Sequence, residues 1–190
     1  MDGPLNLLWK CTVLSMKNAF QIVEEYLPEK RRLKDKEAKQ LLREFIQRYP
    51  TSELFLRSVN DVEEQAVGTD LIFFLNGRPL IMRTESGLLP SLKFDEVISS
   101  LPKLVVDMGA VAHVVNGAHV MRPGIKVIPN DIRKGDLLLI VDEKFGKNIA
   151  LGRADVDSNA MKSVNKGKVV VNLHYVDDEF WKSFVASEGT

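Results

Sequence analysis

Between Asp107 and Gly124 the chain reads DMGAVAHVVNGAHVMRPG, and no other stretch limits the possible folds as much. Gly109 and Gly117 bracket an apolar run long enough for only about two turns of helix. Asn116-Gly117 suits the end of that helix, where a left-handed residue closes the last turn. Pro123-Gly124 suits a turn directly after it. A helix this short, with Val111, Val114 and Val115 available for burial, needs a sheet to pack on. Lys103–Val106 predicts one short strand, and DLLLIVDE, NIALGRADV and KVVVNLHYV predict three more. In the last, Val169, Val171, Leu173 and Tyr175 alternate with Val170, Asn172 and His174, the period of a strand. Short strands divided by Gly, Pro and Asn-Asp turns predict a small closed or partly closed barrel.

The preceding half has a different rhythm. A helix is predicted from about residue 36 to 48, with Asp35 as its cap, Glu37 in its first turn and Tyr49-Pro50 as its stop. Leu41, Leu42, Phe45 and Ile46 form its apolar stripe. The charge run EKRRLKDKEAK before it reads as a solvated helix start. LIFFL and PLIMR flank Asn76-Gly77-Arg78, a strong hairpin signal. A shorter helix from Phe94 to Ser100 leads into Leu101-Pro102, which is the expected domain boundary. Residues 1–28 read as an appendage in which Phe20, Val23 and Leu27 share a helical face ended by Pro28.

Charge sets a limit on function. The chain of 190 residues carries 26 basic and 26 acidic side chains, so no global basic field advertises nucleic acid. Splitting it at Pro102 leaves 14 basic against 15 acidic before, and 12 against 11 after. Any polyanion must therefore be held by a local patch or by backbone donors. The single cysteine, Cys11, excludes an internal disulfide or a cysteine zinc cluster and fits a reducing, cytoplasmic setting. No apolar run reaches the ~20 residues of a membrane span. The start, MDGPLNLLWKCTVLSM, is interrupted by Lys10 and lacks a basic lead and a cleavage site, so no secretory signal is expected. Met16 offers an alternative start.

Signals for chemistry are sparse. His113, His119 and His174 are the only histidines, no HExxH pattern joins them, and each reads as a surface or sheet-packed residue rather than a metal ligand. Cys11 is far in sequence from any histidine, no Gly-x-Ser-x-Gly elbow occurs, and no carboxylate pair stands out. Neither GxxxxGKS/T nor a GxGxxG after a strand is present. The expectation is a protein without catalytic residues, metal or cofactor: a binder, not an enzyme. Lys166-Gly167-Lys168 reads either as a plain turn before a strand or as a phosphate contact. The glycines at 109, 117 and 124 also have two readings. One is geometric. In the other, small residues let a phosphate backbone approach exposed N–H groups, and Arg122, Lys126 and Arg153 add charge to the same face.

The ordered set GAVAHVVNGAHVMRPGI, KGDLLLIVDE, IALGRADV and VNKGKVVVNLHYVDDEFW resembles a complete PUA domain over residues 103–184. The preceding NGRPLIMRTESGLLPSLKF, with its Leu89-Pro90-Ser91-Leu92, is similar to the pre-PUA domain of the malignant T-cell amplified sequence (MCT) family and its archaeal relatives. The ending VNKG…HY-x-x-D-x-x-W resembles the same group. MRPGI running straight into KVIPNDIRKGD is the compact archaeal style.

The resemblance implies an α+β N-terminal pre-PUA domain at 29–102, followed by a small mixed β pseudobarrel, the PUA domain, at 103–184, with 185–190 as a tail. It implies binding to structured RNA, commonly the acceptor stem and CCA end of tRNA. It also implies work at the small ribosomal subunit in initiation, reinitiation or recycling. An initiation-factor-like protein partner is implied as well, since eukaryotic members pair with the density-regulated protein. The RNA-binding positions of PUA domains map to Gly109, Ala110, Gly117, Ala118, Met121, Arg122, Pro123 and Gly124. Two other roles stand beside this one. The first is an RNA-binding accessory to a tRNA or rRNA modification enzyme. The second is a protein-interaction adaptor docking through the apolar sheet face of the first domain. Arg122→Glu is expected to weaken RNA binding without unfolding the domain.

Overall fold

In the computed structural model, which describes residues 29–188, the Asn76-Gly77 turn organises the first of two sheets. Asn76 and Gly77 have φ of 49° and 79°, the left-handed pair whose twist matches the flanking strands of a two-residue hairpin. β1 (Arg31–Arg32), β2 (Val62–Val67), β3 (Asp70–Leu75), β4 (Arg78–Thr84) and β5 (Gly87–Pro90) form an antiparallel meander in that order. Pro79 cannot donate to a ladder, and it lies where the β3–β4 register shifts between Phe73 and Phe74, the kind of place where a strand tolerates proline. The appendage reading of residues 1–28, with the Phe20–Leu27 face, Cys11 and the Met16 start, falls outside the described residues. Contacts divide the chain between Lys30 and Arg31, and both sheets lie in the second unit.

One face of the first sheet is covered by α1 (Asp35–Arg48), α2 (Glu53–Leu56) and α3 (Asp95–Ile98). Phe73, Ile81 and Leu88 pack there with Leu41, Phe45, Phe94 and Val97. Phe45 and Phe94 stack at 5.8 Å between ring centroids, and burying each ring contributes about 1.5–3 kcal/mol over leaving it exposed. Asp35 is not the cap of α1. It occupies the first turn, and the Glu37 carboxylate accepts from the Lys34 N–H at 3.0 Å instead. That bond, and then the neighbouring Arg31, hold the Glu37 carboxyl below its ordinary range.

The opposite face of this sheet is covered as well. Ile72, Phe74, Met82 and Leu89 pack with Phe180, and Trp181 lies half-buried beside them. Both aromatics belong to a C-terminal helix that the sequence reading left inside the second domain's ending and a tail. Double coverage explains why LIFFL is a continuous apolar run rather than an alternating one. It also overturns the expectation of an open apolar sheet face as an adaptor dock.

The second sheet is mixed. It contains β6 (Lys103–Val106), β7 (Val120–Met121), β8 (Ile125–Val127), β9 (Leu137–Asp142), β10 (Asn148–Ala154) and β11 (Lys168–Tyr175) in the order β7-β11-β10-β9-β6-β8. β6 and β9 pair in parallel, as the long connection between them permits. The sheet curls around Leu104, Val106, Val114, Val120, Ile140 and Val170. Three helices accompany it: α4 (Met108–Val114), α5 (Ser158–Ser163) and α6 (Glu179–Glu188). No sequence signal was read for α5, yet Asp157 caps it by accepting from the Ala160 N–H at 2.8 Å. The simple alternation read into β11 is interrupted, because its register with β10 shifts between Leu151 and Gly152, and Val169 and Val170 are both buried.

The two sheets share apolar contacts. Leu92 and Ile98 pack with Leu139, Val141 and Leu151, and the Leu139 N–H donates to the Pro102 carbonyl at 2.9 Å. Among the described residues no helix is long and apolar enough to cross a membrane.

Candidate nucleic-acid interface

Asp107 sets the start of the candidate site. Its carboxylate accepts from the Ala110 N–H at 2.8 Å and caps α4. Its own N–H donates to the Gly124 carbonyl at 2.9 Å, so the helix start is tied to the turn after β7. At the other end Gly117 has φ 84°, and the Ala118 N–H reaches the His113 carbonyl at 3.0 Å. Gly124 is needed for proximity. A β-carbon there would stand 2.6 Å from Ala110 Cβ, closer than packed carbons approach, so the turn would leave the helix.

Between α4 and this strand-and-turn segment lies a cavity of about 550 Å³. Gly109, Ala110, Ala118, Met121 and Gly124, all foreseen, line it together with His113, Val114, His119 and Val120, which were not. Its walls are thus largely carbon, with two imidazoles added. Met121 is 49% exposed.

One strand residue holds the cavity's outer wall. The Asn172 amide on β11 donates to the Val114 carbonyl at 2.9 Å and to the Ala118 carbonyl at 3.1 Å. The Asn172 N–H points at His119 Nδ1, 3.2 Å away. Nδ1 therefore accepts, which puts the proton of the neutral ring on Nε2.

The other foreseen residues serve differently. Gly117 closes the helix, and a β-carbon on it would stand 2.9 Å from Tyr175 Oη. Pro123 and Lys126 are exposed, and Arg153 is half-buried on β10; none of the three lines the cavity. Arg122 is half-buried, and its Nε donates to the Met161 carbonyl at 2.7 Å. It clamps the turn onto α5. Arg122→Glu therefore carries a structural cost besides any effect on RNA: it should lower stability by about 1–3 kcal/mol through loss of a charged hydrogen bond. A urea titration against wild type measures it. In the Lys166–Lys168 turn, Lys168 pairs with Asp155 at 3.3 Å and Lys166 is exposed. Among the described residues no group of three or more His, Cys, Asp or Glu side chains is placed to hold a metal ion.

Comparison with known proteins places this geometry in a family. The PUA domain family matches residues 102–176. An uncharacterized protein of Methanocaldococcus jannaschii is 34% identical over 139 residues, covering 68% of this chain and 85% of that one. A solved structure of a hypothetical protein from Pyrococcus horikoshii superposes with a TM-score of 0.65 at 31% identity, covering 82% of this chain and 99% of the other. Translation machinery-associated protein 20 of Schizosaccharomyces pombe is 28% identical, with 60% of this chain and 66% of that one covered. Malignant T-cell-amplified sequence 1 of Rattus norvegicus is 29% identical, with 58% and 63% covered. The chain belongs to the PUA-domain proteins of the malignant T-cell-amplified sequence family. It spans about two thirds of the length of these last two relatives.

Within this PUA domain, the histidines were missed because their spacing carries no metal or catalytic pattern. The available signal was Asn172, a lone amide within VVVNLHY. A polar side chain on a strand with so few exposed residues needs partners, and the partners of its amide here are the two carbonyls at the cavity's edge.

Proposed function

We propose that this PUA protein binds RNA in translation at the small ribosomal subunit, and that its cavity receives an unpaired terminal nucleotide such as the 3′ end of tRNA. The observation that carries this reading is the cavity itself. Its apolar walls suit the face of a base, while His119 Nε2–H offers a donor at the edge. The glycine and alanine backbone of α4 and of the following turn leaves little side-chain bulk between a phosphate and the main chain. The matched relatives whose names carry the word translation support the same setting. With net charge zero, affinity should fall only shallowly with salt, because few counterions are released.

Ala118 is exposed at the cavity's rim, so Ala118→Trp fills the space without disturbing the core. Binding of a tRNA transcript should weaken about tenfold or more, as expected when one stacked base is lost. A transcript lacking its last three nucleotides should bind wild type and variant alike. Equal affinity of wild type for both transcripts would remove the terminal nucleotide from the reading. Sedimentation of the protein with small subunits, abolished by RNase, is the expected cellular counterpart.

A further inference from the structure

The turn between β9 and β10 is built unlike an idle loop. Phe145 stands at its tip, 64% exposed. The ammonium groups of Lys144 and Lys147 lie 5.1 and 5.9 Å from its ring centroid, within cation–π range. Neither lysine is in a salt bridge among the described residues. The two nearby acids are already engaged. Asp142 accepts from the N–H groups of Phe145 at 2.6 Å, Lys147 at 2.7 Å and Lys144 at 3.0 Å. These three bonds, that of Phe145 foremost, hold its carboxyl below the ordinary range. Glu143 Oε1 accepts from the Met108 N–H at 3.1 Å, which fastens the turn to the first residue of α4. The next residues of α4 line the cavity, so the turn and the cavity flank one short helix.

We infer that this turn is a second contact for unpaired RNA, with the Phe145 ring as a stacking platform for one base and Lys144 and Lys147 reaching the flanking phosphates. An exposed aromatic ring on a turn pinned by backbone hydrogen bonds, with two cations beside it, is an arrangement that grips single strands without reading their sequence, since every base has a stacking face. A globular protein partner would instead call for a broader apolar patch around the ring, and the residues from Glu143 to Asn148 are all exposed, with Phe145 the only large apolar side chain among them. The inference rests on the RNA-binding reading but not on the cavity.

The test is fluorescence anisotropy of the full chain with a 5′-labelled twelve-nucleotide adenosine RNA, single-stranded and annealed into duplex. Phe145→Ala should weaken single-strand binding about five- to hundredfold and leave duplex binding unchanged. Lys144→Gln with Lys147→Gln should flatten the salt dependence by about 1.4 in log–log slope, the value for two phosphate contacts on a single strand. Phe145→Trp should keep the affinity, and its added emission, read against wild type with its two native tryptophans, should be quenched by RNA. If Phe145→Ala matches wild type, or the added tryptophan is not quenched, the turn is not a stacking contact. Ala118→Trp then shows whether the cavity still binds. If wild type binds neither RNA, the stacking contact falls, while the cavity reading is decided separately by the tRNA transcripts. Loss of an RNase-resistant protein partner on Phe145→Ala, with RNA affinity intact, would also overturn the inference.

Discussion

Asp178→Ala should lower the free energy of unfolding by about 2–4 kcal/mol, the sum of a lost helix cap and a buried polar group left without its acceptor. One carboxylate does three jobs here. Asp178 Oδ1 accepts from the Trp181 N–H at 2.7 Å, capping α6. Oδ2 accepts from the Tyr175 N–H at 3.0 Å and lies 2.6 Å from Nδ1 of His174. His174 is wholly buried, so water cannot take over when the carboxylate is removed. The damage should also spread. α6 carries Phe180 and Trp181 onto Ile72, Phe74, Met82 and Leu89 of the first sheet, so loosening it exposes that sheet's outer face. Amide hydrogen exchange at Ile72, Phe74 and Met82 should therefore accelerate, although these residues are remote in sequence. A loss of unfolding free energy below about 0.5 kcal/mol in a urea titration, the usual range for surface changes, would show that the cap and the His–Asp pair are not structural supports.

Gly152→Ala should cost about 1–3 kcal/mol, the range for overfilling a packed core. A β-carbon at this position would stand 2.5 Å from Val170 Cγ1, and 3.1 Å from both Ile140 Cδ1 and the Val171 carbonyl oxygen. Gly152 is not among the glycines of positive φ, so the cost is packing, not backbone conformation. It sits where the register between β10 and β11 shifts, and the missing side chain lets the two strands close at that bulge. A double-mutant cycle separates this from general fragility. Val170→Ala removes the nearest obstructing methyl, so the pair Gly152→Ala with Val170→Ala should be more stable than the sum of the single losses predicts. Strict additivity would refute the clash.

Several elements were legible in the chain because their signals are local. Asn76-Gly77 specifies its own turn, as both residues tolerate the left-handed region. Gly117 ends α4 for the same reason. The strands β9, β10 and β11 follow from apolar runs, and α1 from an apolar stripe with a tyrosine-proline stop. The PUA resemblance likewise rests on spaced short motifs, and the ending HY-x-x-D-x-x-W now has a physical meaning. His174, Asp178 and Trp181 form one unit in which a buried imidazole, a cap and an apolar plug fasten α6 across the first sheet.

What was not legible depends on contacts between distant residues. Arg122 looked like an exposed cation because its sequence neighbours are turn residues, yet its partner is a carbonyl of α5. The Glu37 cap displaced Asp35 because a carboxylate three residues into the helix folds back on the entering chain as well as a preceding one. His113 and His119 entered the candidate site only when the chain reversed at Gly117 and placed them on one cavity. The sequence by itself determined α1, α4, the Asn76-Gly77 hairpin and the strands β9 to β11, and where small residues must stand, because steric and hydrogen-bond preferences act over a few residues. Only the tertiary structure decided which side chains face the cavity and which are consumed as clamps. A side chain's role is set by the donors, acceptors and apolar surface that distant segments bring to it.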